Sequence, residues 1–224
     1  MRPRLSPERI SAGALALIEK DGLEAFSTRR LGEALGVEAM ALYHHFPSRA
    51  ALFDAVAERL VASIALPADS PDILAWLAET VRRYVMLARR YPQAFPLLAT
   101  RRFNTEPALL FVERILAALE AAGASPQEAA DIFRGLGAFA NGAALADLAI
   151  RSAPALADRG VDTGRLPHVA RAARFLGAAQ AKRQFEANLA MLMMGVAERL
   201  KLRPASSGGR RIGAKKKRRS TRKD

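Results

Sequence analysis

The 224-residue chain contains no cysteine, which removes disulfides, iron–sulfur clusters, thiolate zinc sites and cysteine nucleophiles from its chemistry. Histidine is scarce too: His44, His45 and His168 form no HxxxH pair and have no acidic companion, so no metal and no cofactor is expected. No stretch reaches the ~18 uninterrupted apolar residues of a membrane span, and the opening MRPRLSPERI has no apolar signal core. A cytoplasmic protein with no membrane partner is the expectation. Also missing are a glycine-rich phosphate loop, a GxSxG elbow and a paired acid–histidine motif, so no enzyme is expected.

Alternating β-branched runs are absent as well, while Ala, Leu, Arg and Glu abound and half of the residues are hydrophobic. That balance predicts an all-α protein with a substantial core. The formal charge of +13 is unevenly placed. Residues 201–224 hold eleven Lys and Arg against a single Asp, and residues 202–224 read as a basic, disordered tail.

The stretch around which the chain is organised is STRRLGEALGVEAMALYHHFPSR, residues 27–49. Ser27 is placed to cap a short helix, Leu31, Ala34 and Leu35 recur at helical spacing, and Gly36 permits a turn. A second helix, from about Glu38 to Phe46, ends at Pro47, and Ser48 caps the next. The 3.6-residue period puts Ala41, Leu42 and His45 on an inward face and Ala39, Met40, Tyr43 and His44 on an outward one. Two small or flexible apolar side chains, a phenol and an imidazole are an odd set for a solvated face but a usable one against a DNA groove. Ala39 and Met40 suit a thymine methyl, and Tyr43 and His44 suit phosphate oxygens. Arg29 and Arg49 lie at helix N-termini, where backbone N–H groups already favour a phosphate.

The pattern LxxxLGV followed by ALYHHFPSRAALFDAV resembles the N-terminal domain of the TetR family of bacterial repressors. The resemblance implies a three-helix DNA-binding domain with a helix-turn-helix, followed by a helical ligand-binding and dimerisation domain. It places Thr28, Arg29, Ala39, Met40, Tyr43, His44 and Arg49 on positions that meet DNA, with Arg49 where lysine is common in the family. The implied division is 1–48 for the reading head, 49–201 for the helical body, joined by a helix from about 48 to 64, and 202–224 for the tail. The implied partners are double-stranded DNA at a palindromic operator, a second copy in a homodimer, and an unidentified small-molecule effector. Members that bind tetracycline hold drug-bound magnesium with a ligand-domain histidine; residues 61–167 contain none, so tetracycline itself is not expected.

Around this stretch, Ser6-Pro7-Glu8 opens a first helix with Ile10, Ala14, Leu17 and Ile18 facing inward, and Asp21-Gly22 ends it. Arg2 and Arg4 precede it, either as a short arm towards DNA or as a frayed end. In the body, Ser125-Pro126-Gln127-Glu128 reads as a capping box. The helix it opens is crowded with Gly135, Gly137, Ala138, Ala140, Gly142, Ala143 and Ala144, a seam for close helix packing between subunits. One closing helical region is expected over about 168–201, with a stripe of Phe185, Leu189, Leu192, Met193, Val196 and Leu200. An effector pocket is expected among Trp76, Tyr84, Phe103, Asn104, Phe111, Phe133, Asn141 and Phe175, each of which also has a plain core reading. Two functions remain open: a ligand-responsive repressor, or a nucleic-acid-packaging or ligand-independent regulator dominated by its tail.

Overall fold

The computed structural model describes residues 4–101, 105–152 and 163–202. Among the described residues every regular element is helical: α1 (Pro7–Asp21), α2 (Thr28–Leu35), α3 (Ala39–Tyr43), α4 (Arg49–Ala62), α5 (Ile73–Arg90), α6 (Phe95–Thr100), α7 (Glu106–Ala121), α8 (Pro126–Ser152), α9 (Pro167–Leu176) and α10 (Ala181–Arg199). Phe103, Asn104 and the tail lie outside the described residues.

The first helices start where the sequence says they should. Ser6 Oγ accepts from Arg9 N at 3.3 Å, and Ile10, Ala14 and Ile18 of α1 are fully buried. Their target is α4, capped by Ser48 through Ala51 N at 3.1 Å. One side of α4 buries Leu52, Val56 and Leu60. Because α4 packs on α1 as well as on α6 and α7, one helix is common to the head and the body.

The body is built on α5 against α8. Asp72 caps α5 by accepting from Ala75 N at 3.0 Å, and Leu77, Val81, Tyr84, Val85 and Ala88 form its buried face. Truncating a side chain such as Leu77, 1% exposed, costs about 2–5 kcal/mol. The capping box of α8 is realised in both directions: Glu128 N donates to Ser125 Oγ at 3.3 Å, and Ser125 N donates to Glu128 Oε2 at 3.0 Å. The bond from Ser125 N, with a second from Ser125 Oγ to the same oxygen at 2.7 Å, holds the Glu128 carboxyl below its usual pKa.

The closing region differs from expectation. Gly177, with ψ near 166°, leaves the helical range and divides it into α9 and α10. Leu189, Met193 and Val196 of the expected stripe are buried against this chain's own α5 and α8, so that stripe is core. The opposite face of α10 exposes Met191 and Met194 beside Gly195, and α8 exposes Gly135, Ala138, Gly142 and Leu145.

Candidate DNA-reading head and effector cavity

The candidate reading head is α2, α3 and the first turn of α4. Ser27 Oγ caps α2 by accepting from Arg30 N at 3.2 Å, and Gly36 takes the left-handed conformation at φ 70° that ends it. The turn into α3 is tight. Val37 N donates back to Gly32 O at 2.9 Å, and a Cβ on Gly32 would stand 2.8 Å from the Val37 carbonyl oxygen and 3.2 Å from Ala39 N. Gly32 is therefore a structural requirement of the motif, and helical spacing alone could not reveal it.

Reading helix α3 is shorter than the sequence suggests, five residues with Leu42 as its buried anchor. Its end tightens: His45 N and Phe46 N both donate to Leu42 O. That tightening turns His45 outward to an exposed position, correcting its assignment to the inner face. Met40 is 68% and Tyr43 42% exposed, His44 is exposed, and Ala39 is half-buried. The Tyr43 hydroxyl lies 3.4 Å from Thr28 Oγ1, so the first residue of α2 and the last of α3 meet. Arg29 Nε donates to Glu33 at 3.0 Å, an exposed pair worth well under about 1 kcal/mol that leaves the cation free to exchange partners. Arg49 stands exposed at the first position of α4, its guanidinium carbon 4.9 Å from the Phe53 ring centre and 5.6 Å from that of Phe26. Two rings thus hold a charge beside a helix N-terminus. All seven expected DNA contacts lie on this head.

The body holds a half-open cavity of about 100 Å³ between α5, α6, α7 and α8. Its walls are mostly apolar, with Thr80, Tyr84, Arg101 and Asn141 as the polar members. Tyr84 Oη donates to Asn141 Oδ1 at 2.6 Å, and burial pushes the phenol's pKa up, so it stays a donor. Of the expected pocket residues, Tyr84, Phe111, Phe133 and Asn141 are brought together here. Trp76 is not: its Nε1 donates to Pro67 O at 3.3 Å, and its ring walls a separate groove between α5 and α7. That groove is larger, about 460 Å³, but Asp69 at its rim is 87% exposed and its floor is a run of alanines. The smaller cavity has the apolar wall and convergent polar groups of a ligand site. Phe175 belongs to neither, being exposed on α9, a helix with few neighbours among the described residues.

Arg101, passed over in the sequence as part of a link, is the cavity residue that reaches the head. Its Nη1 donates to Asp54 Oδ1 and, at 3.4 Å, to Ala50 O, both on α4, and its guanidinium lies 5.6 Å from the Phe53 ring centre. At the other end of α6, Glu19 of α1 accepts from Ala94 N at 2.7 Å and Gln93 N at 3.5 Å. Partial burial raises the Glu19 pKa, opposed by those two backbone bonds. Short as it is, α6 is pinned to the head at both ends. No group of three His, Cys, Asp or Glu that could hold a metal occurs among the described residues. Within the same residues no helix is long and apolar enough to cross a membrane.

A capped helix-turn-helix with an outward reading helix, ahead of a helical body with its own cavity, defines a helix-turn-helix regulator. Residues 10–56 match the family described as bacterial regulatory proteins, tetR family, and residues 66–200 match the tetracyclin repressor-like C-terminal domain. The chain belongs to the TetR family of transcriptional regulators, whose members bind DNA and are not enzymes. It is similar to an HTH-type transcriptional regulator of Saccharopolyspora erythraea, 32% identical over 127 residues, which is 54% of this chain and 52% of that one. The chain spans about half the length of the first curated relatives it matches. Among solved structures, a possible TetR family regulator from Streptomyces coelicolor superposes with a TM-score of 0.76 at 25% identity, over 86% of this chain and 99% of that one. A TetR variant from Acinetobacter baumannii AYE in complex with minocycline superposes at 0.70 with 27% identity, over 88% and 99%.

Proposed function

We propose that the protein is a repressor that binds a palindromic operator as a homodimer and is released by a small molecule held in the α5–α8 cavity. The observation that carries this is the meeting of Thr28 and Tyr43 across the helix-turn-helix, with Met40, Tyr43 and Arg49 exposed around it. Residues 1–48 would read DNA and residues 49–201 would dimerise and bind effector, while residues 202–224 add non-specific affinity. It would act in the cytoplasm, on the nucleoid when bound. Two heads related by a two-fold axis fit half-sites one helical turn apart, about 34–36 Å. The apolar faces of α8 and α10, with Met191 and Met194 more than 60% exposed, supply the surface for the second copy. Structural kinship with a minocycline-bound TetR supports a ligand in the body.

The test uses DNA recovered with the purified protein, sequenced and shortened to a minimal site. Tyr43→Ala with Arg49→Ala should abolish the specific gel shift and leave the dimer intact on a sizing column. Operator affinity that survives the double substitution would remove these residues from the interface.

A further inference from the structure

The cavity's polar groups are unbalanced in a way that names its occupant. Thr80 Oγ1 donates to Trp76 O and the Tyr84 hydroxyl to Asn141 Oδ1, so both hydroxyl protons are spent. The Asn141 amide nitrogen, and Nε and Nη2 of Arg101, have no hydrogen-bond partner among the described residues. Arg101 is the one charged side chain among the described residues lining the cavity. What remains unanswered there is donor capacity, part of it on a guanidinium whose charge is shared with Asp54, beside leucine, valine, isoleucine and phenylalanine walls. A cation finds no acceptor among these donors, and a plain hydrocarbon leaves them unanswered. The size is bounded too. A void of about 150 Å³ accommodates one benzene ring, so about 100 Å³ admits no more than a single ring, with adjustment of the walls.

The same guanidinium is already committed on its other side. Its Nη1 bonds to Asp54 and to the Ala50 carbonyl lie in the first two turns of α4, directly after Arg49. An acid entering the cavity and the Asp54 carboxylate are therefore rivals for one cation. Building on the reading of this cavity as the effector site, we propose that the effector is a small, mostly apolar organic anion whose acidic oxygen competes with Asp54 for Arg101 and so unties α6 from the start of α4. Charge, and not shape alone, would then link occupancy to the reading head.

The experiment uses the full-length protein and three probes of one skeleton: benzoate, methyl benzoate and benzene. Dissociation constants come from calorimetric titration and thermal shift up to millimolar concentration, and hydrogen exchange of the α4 amides reports on the tie to α6. The acid should bind about tenfold more tightly than the ester, since a hydrogen bond to a charged group is worth at least that factor, and should speed exchange in the first turns of α4. Arg101→Gln should erase the acid's advantage. Asp54→Asn, which frees the guanidinium without touching the cavity wall, should tighten acid binding and remove its effect on exchange. An ester that binds as well as the acid, or an acid preference that survives Arg101→Gln, would overturn the anionic class while leaving an occupied effector site. If Arg101→Gln does not fold, acid affinity unchanged in Asp54→Asn overturns the competition by itself. Failure of all three probes to bind at millimolar concentration would reject both the anion and the effector reading of the cavity.

Discussion

Replacing Gly32 by alanine sets two known effects against each other inside the reading head. A helix-interior alanine in place of glycine ordinarily stabilises by about 0.5–1 kcal/mol. Here the new Cβ would sit 2.8 Å from the Val37 carbonyl oxygen, with Ala39 N at 3.2 Å and Ala39 Cα at 3.4 Å. Ordinary C···O contacts begin near about 3.3 Å, so backbone must move by roughly half an ångström, stretching the Val37 N to Gly32 O bond as well. Overpacking of this kind costs about 1–3 kcal/mol. The net is a loss of about 1–2 kcal/mol, or a melting temperature lower by roughly 2–8 °C for a chain of this size. Because the atoms displaced belong to the start of α3, DNA affinity should fall further than stability does. Circular dichroism melts and gel shifts on the same preparations measure the two, with Gly135→Ala as comparison. Nothing lies within 4 Å of a Cβ at Gly135, so within one chain that change should be neutral or stabilising. A Gly32→Ala protein that melts at or above the wild-type temperature and keeps full operator affinity would refute the close approach of α2 to α3.

Tyr84→Phe strands the Asn141 carbonyl oxygen in the cavity wall and should cost about 1–2 kcal/mol in urea unfolding, whereas Asn141→Asp is expected to weaken binding of any anionic ligand. Burial raises the Asp147 pKa, but hydrogen bonds from Arg151 and Arg89 outweigh it and hold the carboxyl below the ordinary aspartate range. A depressed folded-state pKa contributes stability present above the unfolded value near 3.8 and lost as pH falls through the folded one. Asp147→Asn should thus lower stability at neutral pH by about 1–2 kcal/mol, less than for a fully buried pair because both arginines keep solvent contact, and flatten the acid limb below about pH 4. For Glu19 the sign is reversed: its raised pKa means that ionisation costs stability as pH rises through the carboxylate range, and Glu19→Gln should remove that part of the pH dependence while keeping an acceptor for Ala94 N. Deleting residues 203–224 should flatten the slope of log affinity against log salt by roughly 4–5 units per chain if about five phosphates are engaged. An unchanged slope would remove the tail from the DNA-bound state.

What was legible in the sequence is what is local. Ser6, Ser27, Ser48 and the Ser125–Glu128 box each act within three residues, and each forms the bond its position implies. The outward positions of Met40, Tyr43 and His44 follow from helical period alone, while Ala39, expected with them, is half-buried. The misreadings have a different origin. His45 was assigned by extending a regular helix past Tyr43, where the chain tightens instead. Trp76 and Phe175 were grouped with the cavity by residue type, yet an aromatic side chain carries no record of which neighbours surround it; one walls another groove and the other is exposed. Gly32 and Arg101 were missed for a shared reason. Their significance lies in a contact with a backbone carbonyl or a helix that local periodicity does not mark.

The reading helix is fastened to the fold by a single buried side chain, Leu42, with Gly32 beneath its start. Ala39, Met40 and Tyr43 contribute little to the core, and substitutions at such surface positions usually change stability by less than about 0.5 kcal/mol. If these residues read DNA as proposed, the address that this protein recognises is uncoupled from the scaffold that presents it. Descendants of this gene can drift to new operators through a few codons without passing through an unfolded intermediate, whereas change at Leu42 or Gly32 must be compensated by repacking. Diversity among its relatives should accordingly concentrate at the three outward positions and be sparse at the two that anchor them.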